Sequence, residues 1–219
     1  MFSIKKIFFA GLLCSLMLFV SCHGDVTIRV KNNNTADYEI SLNIGETAES
    51  IIKSVGGHLE SDYIDKGPIT ANLKELGCTD IEVLVNKNKN GSTDIYMKFN
   101  APLKTKAGSL VQYGTNRRNL AVNVSPEKVQ GWVKTLPEEL MAYVDLLMAP
   151  VVEGEIMSEK DYLAAVASVY GDTLAKEIQG GKIKLNIVPP LKNARATTYN
   201  VPLPELLTMA ALKTYRAHW

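Results

Sequence analysis

The chain has 219 residues, of which 46% are hydrophobic, and it carries 24 basic and 23 acidic side chains. A formal net charge of +1 argues against a nucleic-acid-binding protein, because phosphate contacts need a basic surface. The apolar content is enough for a packed core and argues against disorder, and the length suits one large domain or two small ones.

The first 21 residues have the pattern of a secretory signal. Two lysines, Lys5 and Lys6, precede the run Ile7–Val20, which is almost entirely apolar. As a helix, this run would reach roughly 21 Å at ~1.5 Å per residue, short of the ~30 Å hydrocarbon core of a bilayer. We therefore expect residues 1–21 to be an export signal rather than a membrane-spanning helix.

The apolar run ends in Leu18-Phe19-Val20-Ser21-Cys22, which resembles a bacterial lipobox. In that motif a small residue precedes the cysteine that is acylated and becomes the first residue of the mature protein. Phe19 stands where Leu is commonest, a relaxed form similar to that of spirochaete lipoproteins. The resemblance covers residues 1–22 and implies lipidation of Cys22. The alternative is an ordinary signal peptide cleaved nearby, which leaves Cys22 as a free thiol.

This resemblance implies an address in the bacterial cell envelope, with the membrane as a partner through the lipid anchor. Acyl chains contribute ~0.8 kcal/mol per buried methylene, so two or more of them attach a protein stably. In enteric bacteria, His23 rather than Asp after the cysteine implies sorting to the outer membrane. Loss of Lys5 and Lys6 with the leader leaves 22 basic and 23 acidic side chains, so the mature chain lacks the charge to dock on anionic lipid.

Residues 22–103 predict a strand-strand-helix-helix-strand-strand unit. Alternating apolar residues and turn-forming sequences mark the strands, and glycines mark the helix ends. The expected elements are strands at Asp25–Val30 and Tyr38–Ile44, helices at Thr47–Val55 and Pro68–Leu76, and strands at Ile81–Val85 and Ile95–Phe99. An antiparallel sheet with helices on one face is the simplest arrangement of these elements.

Residues 104–219 predict a helix-rich α+β unit that packs with the first as one globular body. The stretch from Ala101 to Asn119 suggests an exposed connection. The elements expected after it are a strand at Leu120–Val124, helices from Ser125 and from Pro137 to about Met148, a helix at Glu159–Gln179, a strand at Ile183–Ile187 and a final helix from Pro204 to Trp219. The predicted fold class is α+β, with mostly antiparallel sheets of about seven strands and helices packed on one side.

The sequence contains no recognisable catalytic or metal-binding motif. Its histidines, His23, His58 and His218, have no partners at ligand spacing, and neither a Gly-x-Ser-x-Gly elbow nor a Gly-Lys-Ser/Thr phosphate loop occurs. Once the leader is removed and Cys22 is modified, Cys78 is left alone, and we expect a buried structural thiol. No cofactor and no catalytic residue are therefore predicted.

The Asn-rich segment Asn86–Asn90, with Asp80 and Asp94 nearby, has oxygen-bearing side chains that could bind calcium. It lacks the spaced acidic ligands of a dedicated calcium loop, and the Asn90-Gly91 step favours a hairpin turn. We therefore expect a solvated turn between two strands.

The segment Leu136–Met157 is rich in apolar residues on more than one helical stripe. Three interpretations compete: a helix buried on most sides, the wall of an apolar pocket, and a surface that meets the bilayer or a partner. If a hydrophobic ligand binds here, we expect contacts from Met141, Tyr143, Leu147 and Met148. The leading hypothesis is a non-enzymatic envelope lipoprotein that binds a hydrophobic ligand, the membrane or an envelope protein. The alternatives are a periplasmic hydrolase with an unrecognised site and an assembly subunit of an envelope complex.

Overall fold

The computed structural model describes residues 23–31, 34–56, 66–105, 107–113, 118–127, 130, 150, 154–191 and 195–219, with the backbone alone at 52–56, 68 and 72. The strands in these ranges are β1 His23–Val30, β2 Thr35–Ile44, β3 Thr79–Lys87, β4 Thr93–Pro102, β5 Val111–Tyr113, β6 Asn119–Val124, β7 Lys182–Val188, β8 Thr197–Pro202 and β9 Lys213–His218. The main helices are α1 Glu46–Gly56, α2 Lys66–Glu75, α3 Glu159–Tyr170, α4 Asp172–Gly180 and α5 Leu203–Leu207.

Six strands form the larger sheet, in the order β3-β4-β2-β1-β7-β8. Each neighbouring pair is antiparallel except β1 and β7, which run in parallel. Strand β1, the first in the described part of the chain, therefore lies inside the sheet, between β2 and β7. A parallel pair needs a long crossover between its two strands. Here the chain between β1 and β7 contains β2, β3 and β4, which lie on the other side of β1 in the same sheet.

One face of this sheet is apolar and packs on helices. The register places Val83, Met97, Ile40, Val26 and Leu185 side by side across five strands, and all of them are buried. Residues from all five named helices belong to the same core cluster, namely Ala48, Ile69, Leu73, Tyr162, Val166, Leu174, Ala175, Ile178 and Leu207. Alternation with a period of two places the intervening residues on the opposite face, which is largely solvated.

The smaller sheet is antiparallel, in the order β5-β6-β9. Its Val111, Leu120, Val122 and Ala217 belong to the same core cluster as the larger sheet. Tyr199 of β8 links the two sheets, since its ring meets that of Tyr215 edge-on at a centroid distance of 5.2 Å. The Tyr199 hydroxyl also donates to the carbonyl oxygen of Arg216 at 2.6 Å.

The predicted α+β class is confirmed: the sheets are mostly antiparallel, and helices pack on the apolar face. Nine strands occur in the described ranges, rather than about seven, because β5, β8 and β9 lack clear apolar alternation. The larger sheet takes strands from both predicted units, 22–103 and 104–219. The division of the chain into these units stays a prediction.

Three expected elements differ from the structure. The final helix, predicted from Pro204 to Trp219, is wrong beyond Leu207: the Thr208 hydroxyl donates to the Pro204 carbonyl at the helix end, and β9 pairs with β6. The helix predicted over 159–179 is interrupted at Gly171, whose φ of 89° is outside the helical range. The connection expected at 101–119 contains β5 and a 3-10 turn at Gly108–Leu110. The helices predicted between Ser125 and Met148 fall almost wholly outside the described residues.

Candidate functional site

The predicted site residues lie outside the part of the chain that the structure describes. These are the lipidation residue Cys22 and the proposed ligand contacts Met141, Tyr143, Leu147 and Met148. Of the segment 136–157, Pro150 and residues 154–157 are described: Ile156 is 92% exposed, and Met157 packs partly against the core. The ligand contacts therefore stay predictions. For Cys22, the described structure begins at the next residue along the chain.

That next residue, His23, is the first of β1 and lies at one end of the larger sheet. It is paired with Asn43 of β2 on one side and with Lys182 of β7 on the other. The strand directions bring further segments to the same end. We call this surface the anchor end, and define it as residues 23–24, 43–46, 86–94, 180–182 and 202–203. It is the part of the described fold nearest in sequence to Cys22.

The anchor end is organised around the carboxylate of Asp94. The side-chain amide of Asn43 donates to its Oδ1 at 2.6 Å, and the amide of Asn88 donates to its Oδ2 at 2.9 Å. These two hydrogen bonds hold the pKa of Asp94 below its usual value, because they stabilise the charged form more than partial burial disfavours it. The result is a fixed polar surface that joins β2, β4 and the β3–β4 turn.

The β3–β4 connection is a hairpin turn, as its sequence predicts. The backbone N–H of Asn88 donates to the carbonyl of Ser92 at 2.8 Å, and Gly91 has a φ of 83°. The Asn90 side-chain oxygen accepts from both the hydroxyl and the backbone N–H of Ser92. The partners of the Asp94 carboxylate are thus the side-chain amides of Asn43 and Asn88, and not further carboxylates grouped around a shared cation. Within the described ranges, no three His, Cys, Asp or Glu side chains are grouped as a metal site would need.

Two polar contacts, one buried and one partly buried, hold α1 against β4 and against α4. The Thr93 hydroxyl donates to Oε2 of Glu49, and both residues are buried. The Thr47 hydroxyl donates to Oε1 of Glu177 at 2.8 Å, which joins α1 to α4. A buried carboxylate is costly unless it is hydrogen-bonded, so the Glu49 contact fixes the position of α1 relative to β4.

The solvated face of the larger sheet carries mixed charges and amides in register. One row runs Glu82, Lys98, Glu39, Thr27, Asn186, Thr198 across all six strands. Another contains Asp37, whose Oδ1 is 2.7 Å from Nζ of Lys31 and accepts from the Asn100 amide at 2.8 Å. Opposite charges alternate on this face, so it carries no strong net field.

Cys78 is buried, as predicted, and burial raises the pKa of its thiol to about 11. The thiolate, which is the reactive form, is therefore scarce at neutral pH. The described histidines, His23 and His218, belong to different sheets, on β1 and β9. Neither the Cys78 thiol nor the two described histidines therefore indicate a pair of nucleophile and general base.

No family model and no curated protein sequence matches this chain. Among the described helices, none combines the length and the apolar character needed to cross a bilayer.

Sequence reasoning missed the anchor end as a surface. The alternating pattern predicts the first strand at Asp25–Val30, whereas β1 includes His23 and Gly24 as well. The signal was present in the short spacing between Cys22 and the first alternating residue, Val26. What the sequence alone did not indicate is that this strand lies inside the sheet, because that depends on its pairing with β7, more than 150 residues away.

Proposed function

We propose that the protein is a cell-envelope lipoprotein, acylated at Cys22, whose folded part serves as a binding or structural module at the membrane surface. The leader Met1–Ser21 and the lipobox-like Leu18–Cys22 support the anchor. One structural observation carries the proposal: His23, the residue after Cys22, already belongs to strand β1 of the larger sheet.

That position suits processing at Cys22. Cleavage before Cys22 leaves all nine described strands whole, so the mature protein keeps the pairing of these nine strands. The mature N-terminus would lie at the end of a strand that is hydrogen-bonded on both sides. Acyl chains attached there would hold the folded part at the bilayer without any basic surface.

For the partner of this module we propose two chemical classes, a hydrophobic ligand and an envelope protein. A hydrophobic ligand would use the segment 136–157, through Met141, Tyr143, Leu147 and Met148, whereas an envelope protein would meet a folded surface such as the solvated sheet face. The near-neutral charge of the mature chain gives no support for nucleic acid as a partner. We favour the outer membrane as the site of attachment, on the strength of His23.

Metabolic labelling with an alkyne-tagged palmitate tests the anchor, in a bacterium that processes lipoproteins. We expect the wild-type protein and Cys78→Ala to carry the label, and Cys22→Ser to carry none. Cys78→Ala is the matched control because it removes the other cysteine that remains after the leader is cleaved. Equal labelling of Cys22→Ser and wild type, or no labelling of wild type, would overturn the proposal.

A further inference from the structure

We propose that the anchor end of the larger sheet is the surface that faces the lipid headgroups, so that the mature protein stands on the membrane with its strands pointing away from it. This inference rests on the proposed acylation of Cys22. It adds the orientation of the folded part and names the surface that contacts the bilayer.

The first argument is the absence of a linker between the acylation site and the fold. Consecutive Cα atoms are ~3.8 Å apart, so His23 lies one such step from the residue that would bear the acyl chains. Strand β1 cannot swing away from the sheet to lengthen this tether. It is paired with β2 and β7 along its length, and Val26, Ile28 and Val30 are buried in the core. The anchor end is therefore held close to the headgroups.

The second argument is the chemistry of this surface. Lys87, Lys89 and Lys182 are exposed there, against two carboxylates: the exposed Glu46, and Asp94, which accepts from Asn43 and Asn88 and keeps its charge. Lysine side chains can extend toward phosphate groups while their stems stay on the protein. The side chains of Asn88 and Asn90 are exposed on the same surface and make it polar, although they also hydrogen-bond to Asp94 and Ser92.

The third argument concerns how deeply the folded part enters the bilayer. The exposed large apolar residues in the described ranges are Leu84, Ile156, Val169, Leu191 and Leu212, and none of them belongs to the anchor end. A polar surface with lysines and amides matches the hydrated headgroup layer rather than the hydrocarbon core. The acyl chains would enter the bilayer, and the folded part would rest on its surface.

A spin-label experiment on the acylated, full-length mature protein tests this orientation. In a Cys78→Ala background, a nitroxide is attached at Lys89→Cys or, as the matched control, at Lys104→Cys. Lys104 is also exposed but follows β4 at the opposite end of the sheet, roughly 30 Å away at ~3.3 Å per strand residue. The protein is placed in phosphatidylethanolamine–phosphatidylglycerol vesicles that contain a nickel-chelating lipid, and nitroxide–nickel collisions are measured by power saturation.

We expect the collision parameter at position 89 to exceed that at position 104 severalfold. Equal values, or a higher value at position 104, on protein whose acylation is verified by mass would overturn the orientation and leave the lipoprotein proposal standing. Failure to find acyl chains on Cys22 would overturn both. The two proposals can therefore fail separately.

Discussion

Asp37 shows how a single carboxylate orders the solvated face of the larger sheet. Burial pushes the pKa of Asp37 upward, but hydrogen bonds from Lys31 and Asn100, together with the charges of Lys31 and Arg29, hold the pKa below its ordinary value. A carboxylate whose pKa is lower in the folded state stabilises the fold when it is charged. Its contribution is complete above the unfolded pKa of ~3.9 and is lost as the pH falls through the folded value.

We therefore predict that Lys31→Met raises the pKa of Asp37 toward its ordinary value, as measured by NMR titration of the side-chain carboxyl carbon. The loss of unfolding free energy below about pH 4 should become shallower in this variant. Lys184→Met is the control, because Lys184 lies 3.7 Å from Asp25 rather than beside Asp37. An unchanged pKa of Asp37 in Lys31→Met would contradict the role given to this ion pair.

Position 108 requires glycine because there is no room for a side chain, and not because of its backbone conformation. A Cβ at this position would lie 2.2 Å from the carbonyl oxygen of Pro102 and 2.6 Å from Cα of Leu103, and neither backbone group can move freely. We predict that Gly108→Ala lowers the unfolding free energy by about 1–3 kcal/mol, in the range of overpacked sites. Urea denaturation gives the measurement.

Gly180→Ala is the matched control for Gly108→Ala, since a Cβ there would meet no atom within 4 Å. We expect Gly180→Ala to change the unfolding free energy by no more than about 0.5 kcal/mol. Equal denaturation midpoints for the two variants would show that the chain around Gly108 relaxes to accommodate a side chain.

Helix α1 is joined to β4 by the buried contact between Glu49 and Thr93. Thr93→Val keeps the shape of the side chain but removes a donor from a buried carboxylate. We predict a loss of about 1–3 kcal/mol in unfolding free energy, the usual cost of leaving a buried polar group short of a partner. Thr198→Val on the exposed face should cost less than about 0.5 kcal/mol, because water replaces the hydrogen bond to Asn186. A similar loss in both variants would contradict a special role for the buried contact.

The elements of the first half could be predicted from sequence because their signals are local. Strands β1, β2, β3 and β4 alternate with a period of two, and the Asn90-Gly91 step marks the turn between the last two. In the C-terminal region the same local signals predicted the wrong element. Leu206, Leu207 and Leu212 suggested one helical stripe, but Thr214 and Tyr215 belong to a strand whose formation depends on pairing with β6, about 90 residues earlier.

The contacts of the anchor end could not be predicted from the sequence for the same reason. The lipobox-like sequence at Leu18–Cys22 is a local motif, and the prediction that Cys22 is acylated rests on it alone. The Asp94 cluster joins residues 43, 88 and 94 across three segments, and the Glu49–Thr93 contact spans 44 positions. No periodicity reports such contacts, because they arise from the order of strands in the sheet.

Across the whole molecule, the larger sheet takes up the chain directly after Cys22, so the proposed anchor would join the folded part without an intervening linker. Strand β1 begins at His23 and runs through the interior of a six-stranded sheet, so that a force on Cys22 would be transmitted to β2 and β7 directly. A lipoprotein built this way would hold its solvated sheet face and its far end at fixed distances from the bilayer. Partners would then meet these surfaces in one orientation.

Mass spectrometry of the N-terminal peptide of the mature, membrane-extracted protein tests the central claim most directly. We predict a peptide that begins at Cys22, continues through His23 and Gly24, and carries the added mass of two or three acyl chains with the glycerol that joins them. A peptide that starts elsewhere with Cys22 as a free thiol, or one that retains residues 1–21, would contradict the account.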